Sequence, residues 1–156
     1  MLKIKREELR RTSEPPKRVK TTEIIIHHTD NIVEKTAEEL NAVHINDGWI
    51  MIGYNFLVHK DGTIEQGRPI DAIGMHCIGS NSTSIGIALC GDFNIEQVTE
   101  KQRKALIELL VYLCSEYSIN SKSIVCHSDK SRTKCPGINI SEHMHEIREA
   151  VNEAKK

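Results

Sequence analysis

No stretch of this 156-residue chain stays apolar for more than about seven residues. A membrane-spanning helix needs roughly 20, so no span is expected. Residues 1–20 are basic and contain no apolar core segment, so they do not read as a secretory signal peptide. The expectation is synthesis in the cytoplasm, with any outside site of action reached by another route. A disulfide framework is also missing: Cys77, Cys90, Cys114, Cys126 and Cys135 make an odd count at irregular spacing. Four of them lie in apolar surroundings and read as buried thiols, whereas Cys135 does not. There is no internal repeat. Composition is that of an ordinary soluble protein, 38% hydrophobic and 28% charged, and the length suits one domain with a real core rather than two.

The near-neutral formal charge of −1 hides an asymmetry. Lys3, Lys5, Arg6, Arg10, Arg11, Lys17, Arg18 and Lys20 face only Glu7, Glu8 and Glu14, so residues 1–20 carry +5 and the remainder −6. A basic extension on an acidic body suggests attraction to a polyanion. A solvated segment that merely begins the fold is the equal alternative. Pro15-Pro16 break any helix there.

From residue 22 the pattern is globular, and residues 21–156 are expected to form the functional domain. Glu23–His28 is a β-branched run that reads as a buried strand. Thr36-Ala-Glu-Glu39 is a capping box opening a helix through about Asp47, ended by Gly48. Tyr54–His59 and Thr63–Gln66 flank Lys60-Asp61-Gly62 as a hairpin. Ile85–Cys90 is a further strand. Thr99-Glu-Lys-Gln102 is a second capping box, starting a helix with Leu106, Leu109, Leu110, Leu113 and Tyr117 along one face. Ser123–Cys126 is a short strand, and a last helix is expected over Ser141–Ala154. Strands interleaved with helices predict a single α/β domain with a central mixed β-sheet flanked by helices.

Chemistry concentrates at two strand ends. His27 closes Ile24-Ile25-Ile26, and His127 closes the Ser123–Cys126 strand. Cys135 follows eight residues later, with Pro136-Gly137 after it. If the two strands are sheet neighbours, two imidazoles and a thiolate converge as three zinc ligands, leaving a fourth position for water. Zinc held this way polarises a carbonyl and acidifies water, which is hydrolase chemistry. Each signal taken alone is weak, since strand-end histidines are commonly packing or surface residues. By strand alternation His28 points to the other face, as a supporting or exposed residue. Tyr54 is a candidate to donate to an oxyanion or shuttle a proton, and packing at a strand start is the even alternative.

Four ordered motifs then carry a resemblance: Ile-Ile-Ile-His27-His-Thr; Gly48-Trp49-Ile-Met-Ile-Gly53-Tyr54-Asn-Phe; Asp61-Gly62-Thr-Ile-Glu-Gln-Gly67-Arg68; and His127 with Cys135-Pro-Gly. A fifth runs from Gly74-Met-His76 through Asn81 to Gly86. Over roughly residues 22–150 the chain resembles the zinc-dependent N-acetylmuramoyl-L-alanine amidases, which include short phage endolysins and animal peptidoglycan recognition proteins. The resemblance implies an α/β fold with a mixed sheet, zinc on His27, His127 and Cys135, and Tyr54 beside the metal water. It also implies a muropeptide groove near His44, Trp49, His76 and Asn81. Some members place lysine two residues before the cysteine; this chain has Thr133, as recognition proteins do. Thr133 can hydrogen-bond an oxyanion without supplying a charge, and Lys134 is expected to point away from it. His44 also reads as a helix-face residue. Lys130, Arg132 and Lys134 put positive charge beside the site, with a solvated loop as the alternative.

The expected function is therefore zinc-dependent hydrolysis of the bond between N-acetylmuramic acid and L-alanine, with bacterial wall lysis as the outcome. A non-catalytic peptidoglycan-binding module is the alternative, although such members typically lose the cysteine ligand. A thiol hydrolase using Cys135 with His127 would leave His27 without a role. The expected partners are peptidoglycan and anionic wall polymers such as teichoic acids, the latter met by the basic residues 1–20 in the absence of a wall-binding module after residue 156. No nucleic-acid partner is expected. Release to the wall through a holin-type membrane pore fits the missing signal peptide.

Overall fold

In the computed structural model, which describes residues 2–155, five strands form one mixed sheet. They are β1 (Glu23–His28), β2 (Phe56–Val58), β3 (Ile64–Gln66), β4 (Ser84–Leu89) and β5 (Ile124–Cys126), in the order β3-β2-β4-β1-β5. β1 pairs in parallel with β4 and β5, β2 pairs in parallel with β4, and only β3 runs antiparallel, to β2. The inner strands β1 and β4 are covered on both faces. That is why they read as continuous apolar runs rather than as an alternation.

The helices are α1 (Ala37–Asn46), α2 (Glu100–Glu116), α3 (Ile138–Ser141) and α4 (Met144–Lys155). On one face Ile24, Ile26, Ile85, Ile87 and Leu89 pack with Leu106, Leu109, Leu110 and Leu113 of α2 and with Met144, Ile147 and Val151 of α4. On the other, Leu57, Ala88 and Cys90 pack under Ala37 and Leu40 of α1 and under Leu9. Strand alternation places Ile25 and His27 on that second face, whose β4 partners are the small residues Gly86 and Ala88. The sheet is thin there, and a polar ring finds room.

Several sequence expectations change. The capping box at Thr36 forms in full, with Thr36 Oγ1 and Glu39 Oε1 each accepting a backbone N–H. At Thr99 only half of it forms. Thr99 Oγ1 accepts from Gln102 N–H, but the buried Gln102 side chain turns inward and its Nε2 donates to the carbonyls of Val58 and Cys90. The single helix expected over Ser141–Ala154 is two. α3 starts after Gly137 and is held by Asn139, which bonds Phe93 O through its backbone and Glu96 O through its amide; the chain turns at 142–143 before α4.

Residues 2–20 are not a free tail. Lys5 bridges to Glu65 alongside β3, Lys17 bridges to Ala72, Thr12 N–H donates to Ile50 O, and Leu9 is buried at 4% exposure. Arg18 is also buried. Its guanidinium donates to Thr21 Oγ1 and to the carbonyls of Ala72 and Ile70, at 2.6–2.8 Å. Lys5, Arg11 and Lys17 pair with Glu7, Glu14 and Asp71. Lys3, Arg6, Arg10 and Lys20 are exposed as well, Arg11 is half-buried and Arg18 is buried.

Candidate metal centre and active site

β1 and β5 are adjacent and parallel, with Ile26 level with Cys126, so the residues that follow, His27 and His127, emerge side by side. Their ring centroids are 4.6 Å apart. This is the carboxyl edge of a largely parallel sheet, where open α/β sheets place their ligands. The loop after His127 folds back, with Ser128 N–H donating to Cys135 O. Cys135 Sγ thereby reaches 3.6 Å from His27 Nδ1 and accepts the His28 backbone N–H at 3.4 Å. One ligand atom from each of His27, His127 and Cys135 lies within 4.8 Å of the others.

His127 Nδ1 supplies the test of whether these residues suit an ion. It is buried and has no hydrogen-bond partner, an uncompensated loss that a cation would remove. Burial depresses all three histidines here: His27 well below the usual imidazole range, reinforced by His76 and His127; His76 down to about 3; and His127 to a lesser degree. They are neutral at pH 7, as metal ligands must be. Burial raises the Cys135 thiol to about 12 against the opposing His28 backbone N–H, so an incoming cation must expel that proton. Two nitrogens and one sulfur form a donor set that suits zinc.

Above the three ligands lies an open cavity of about 510 Å³ lined by Tyr54, Trp49, His76, Thr133 and Lys134 among others. Tyr54 sits with its ring 5.2 Å from that of His27, and burial raises its phenol, so the hydroxyl keeps its proton. Thr133 Oγ1 accepts the Cys135 backbone N–H at 3.1 Å, which occupies a lone pair and leaves its O–H free to donate. Lys134 and Thr133 both contribute to the cavity wall. Lys130 is committed to Glu23 at 2.9 Å, while Arg132 lines an adjoining apolar pocket with Trp49, Met75 and Ile78.

The four groove residues divide. Trp49 is 38% exposed and lines both spaces. His44 lies outside the cavity lining, accepts Gly53 N–H through Nδ1 at 3.0 Å and stacks its ring 4.6 Å from Trp49. Asn81 also lies outside the lining and accepts the backbone N–H groups of His76 and Cys77, fixing that loop. His76 reaches the cavity wall with both ring nitrogens engaged, by His27 and by Ser84. His28 is buried, with Nδ1 accepting from Phe93 N–H.

Sequence reasoning did not single out Thr29, Asp30, Met75 and Asn94, which complete the lining. Thr29 and Asp30 simply continue the His27-His28 strand end, a signal that was available. Two other groups bring ligand atoms together, Glu34/His59/Cys90 and His28/Asp30/Asp92. In the first, His59 lies between Glu34 and Glu65, 2.6 Å from the latter; in the second, His28 Nδ1 is taken by Phe93 N–H.

The sequence pattern of the family described as N-acetylmuramoyl-L-alanine amidase matches residues 17–138. The endolysin of Klebsiella phage KP32 is 34% identical over 131 residues, covering 80% of this chain and 85% of the phage protein. Peptidoglycan-recognition protein SC2 of Drosophila melanogaster is 37% identical over 125 residues, covering 74% and 68%. Among solved structures, the N-acetylmuramoyl-L-alanine amidase LysC from Clostridium intestinale superposes with a TM-score of 0.90 at 36% identity, covering 97% of this chain and 99% of that one. Bumblebee peptidoglycan recognition protein SA gives 0.82 at 25% identity, covering 93% and 95%.

Proposed function

Because this chain belongs to the N-acetylmuramoyl-L-alanine amidase family, we propose that it cleaves the amide bond between N-acetylmuramic acid and L-alanine of peptidoglycan, with zinc held by His27, His127 and Cys135. The observation that carries this reading is the partnerless, buried His127 Nδ1 beside His27 and Cys135 on the floor of an open cavity. Zinc, when bound there, polarises the scissile carbonyl and acidifies water for attack. The chain's own residues supply the rest. Tyr54 Oη, kept protonated by burial, and the free Thr133 O–H are donors on the cavity wall for charge that develops on the carbonyl oxygen. Trp49 and the apolar pocket beside it offer a surface for the sugar or stem peptide, with Arg132 and Lys134 facing its carboxylates. The exposed cations among residues 3–20 attract anionic wall polymers.

The test is elemental analysis of purified protein together with release of new amino groups from isolated cell walls. One zinc per chain and amino-group release that Cys135→Ala abolishes is the expected result. Stoichiometric zinc without release would make the chain a peptidoglycan-binding module instead. Activity that persists in a strong chelator would point to a thiol hydrolase, a reading that the raised Cys135 thiol disfavours.

A further inference from the structure

His76 has the position of a wall residue and the bonding of something else. The residue is 9% exposed and its ring is clasped between two glycines: a Cβ at Gly74 or at Gly86 would come within 2.6 Å of its carbons. The space is built for this ring in one orientation. Nδ1 lies 2.9 Å from His27 Nε2, and Nε2 lies 3.4 Å from Ser84 Oγ. Ser84 Oγ in turn lies 2.6 Å from the Ser80 carbonyl oxygen.

Such a chain of hydrogen bonds has only one consistent direction, because it ends on a group that cannot donate. The Ser80 carbonyl accepts, so the single Ser84 hydroxyl proton goes to it. Ser84 Oγ is then left to accept from His76, which places the His76 proton on Nε2. His76 Nδ1, in a neutral ring, is therefore an acceptor, and the proton between the two imidazoles sits on His27 Nε2. What remains on His27 is the Nδ1 lone pair, which faces Cys135 Sγ at 3.6 Å.

We propose that His76 is a positioning residue for the metal ligand His27: through Ser84 and the Ser80 carbonyl it fixes His27 in the Nε2–H tautomer, so that Nδ1 is the atom presented to the ion. Metal-ligating histidines commonly donate their second nitrogen to an outer acceptor, most often a carboxylate or a carbonyl. Here another imidazole takes that place, and its own orientation is set one step further out. A neutral acceptor adds no negative charge beneath the centre, and the missing Cβ at Gly86 leaves the room for its ring. The inference rests on His27 being a zinc ligand, and its first test does not.

That first test is long-range ¹H–¹⁵N NMR of the metal-free protein near pH 7. The expected spectrum shows His27 protonated on Nε2 and His76 protonated on Nε2. A His27 signal with the proton on Nδ1 overturns the proposal, whatever the protein's activity. The second test measures zinc affinity by competition with a chromophoric chelator. His76→Leu fills the slot without an acceptor and is expected to weaken zinc binding by about 10–100-fold, the usual effect of losing an outer partner. His76→Asn returns an acceptor oxygen near the lost Nδ1 and should recover most of that loss, to within about threefold of the parent. Equal affinity for the Leu variant and the parent, or equal losses for Leu and Asn, would mean that His76 only fills space. Failure of the parent itself to bind zinc would overturn the proposed function, while the tautomer measurement would still stand on its own.

Discussion

Cys135 Sγ lies 3.6 Å from His27 Nδ1, although 108 residues separate them in the chain. The sheet order explains the approach. β5, which leads into His127, lies beside β1, which carries His27, and the loop after His127 brings the thiol to the end of β1. The Cys135 sulfur also accepts the His28 backbone N–H, so the strand end that presents one ligand orients another.

Removing that sulfur should separate metal binding from folding. Cys135 is half-buried on a loop, and Cys135→Ala leaves both core clusters untouched. The far-ultraviolet circular dichroism and the unfolding midpoint of the metal-free variant should match the parent within about 1 kcal/mol. Zinc affinity should fall by more than the roughly 100-fold typical of an outer-partner loss. The rise in melting temperature that zinc gives the parent should vanish. A variant that still gains thermal stability from stoichiometric zinc would remove Cys135 from the ligand set.

Tyr54→Phe keeps the ring that packs beside His27 and deletes only the donor. If the phenol stabilises charge that appears during the reaction, kcat should fall by about 10²–10³-fold with zinc content unchanged. Thr133→Val should lower kcat by less, because an aliphatic hydroxyl is a weaker hydrogen-bond donor than a phenol. Full turnover in Tyr54→Phe would assign the tyrosine to packing.

The metal-free protein should weaken in mild acid. Burial lowers the folded-state pKa of His27, His28, His44, His76 and His127, so protonation is favoured in the unfolded chain. For a base whose folded value is depressed, the stability contribution is complete above the unfolded value near 6.5 and is lost as pH falls towards the folded one, about 3 for His76. A loss on the order of 1 kcal/mol per pH unit is expected from each of the most buried rings, His27 and His76. Urea midpoints between pH 7.5 and 5 would show it, in a window above the range where carboxylates titrate. His76→Asn should flatten the slope, and a midpoint that rises on acidification would contradict the sign.

How legible this was in the sequence depended on the range of the interaction. Strand and helix positions followed local rules, with Ile24-Ile25-Ile26 reading as a covered strand and the leucines of α2 as one buried stripe. His27, His127 and Cys135 could be paired because each closes a recognisable element or motif. The misreadings came from contacts between segments distant in sequence. Gln102 looked like the partner of Thr99 but satisfies carbonyls of Val58 and Cys90. His76 read as a groove residue, and it does line the cavity, but nothing in its own segment signals that Gly86 leaves room for its ring or that His27 lies 2.9 Å away. The sequence left open whether the basic segment is an extension or begins the fold, because the contacts of Arg18 that decide it are backbone carbonyls at residues 70 and 72.

Deleting residues 1–20 would remove Leu9 and Arg18, and both belong to the body of the fold. Leu9→Ala alone should cost about 2–5 kcal/mol, as expected for a buried leucine. Arg18→Ala should cost about 1–3 kcal/mol by leaving the Ile70 and Ala72 carbonyls without their donor. Charge can be removed without touching these. Lys3→Gln, Arg6→Gln, Arg10→Gln and Lys20→Gln alter exposed side chains, and together they should shift the urea midpoint little, by about 0.5 kcal/mol or less per site. Sedimentation of the variant with purified walls should show weaker retention than the parent at low salt. The two should converge as ionic strength rises and the Debye length shrinks from about 30 Å at 0.01 M to 10 Å at 0.1 M. Identical retention at every salt concentration would leave the exposed cations with no part in wall binding and the cavity around His27 as the sole point of attachment.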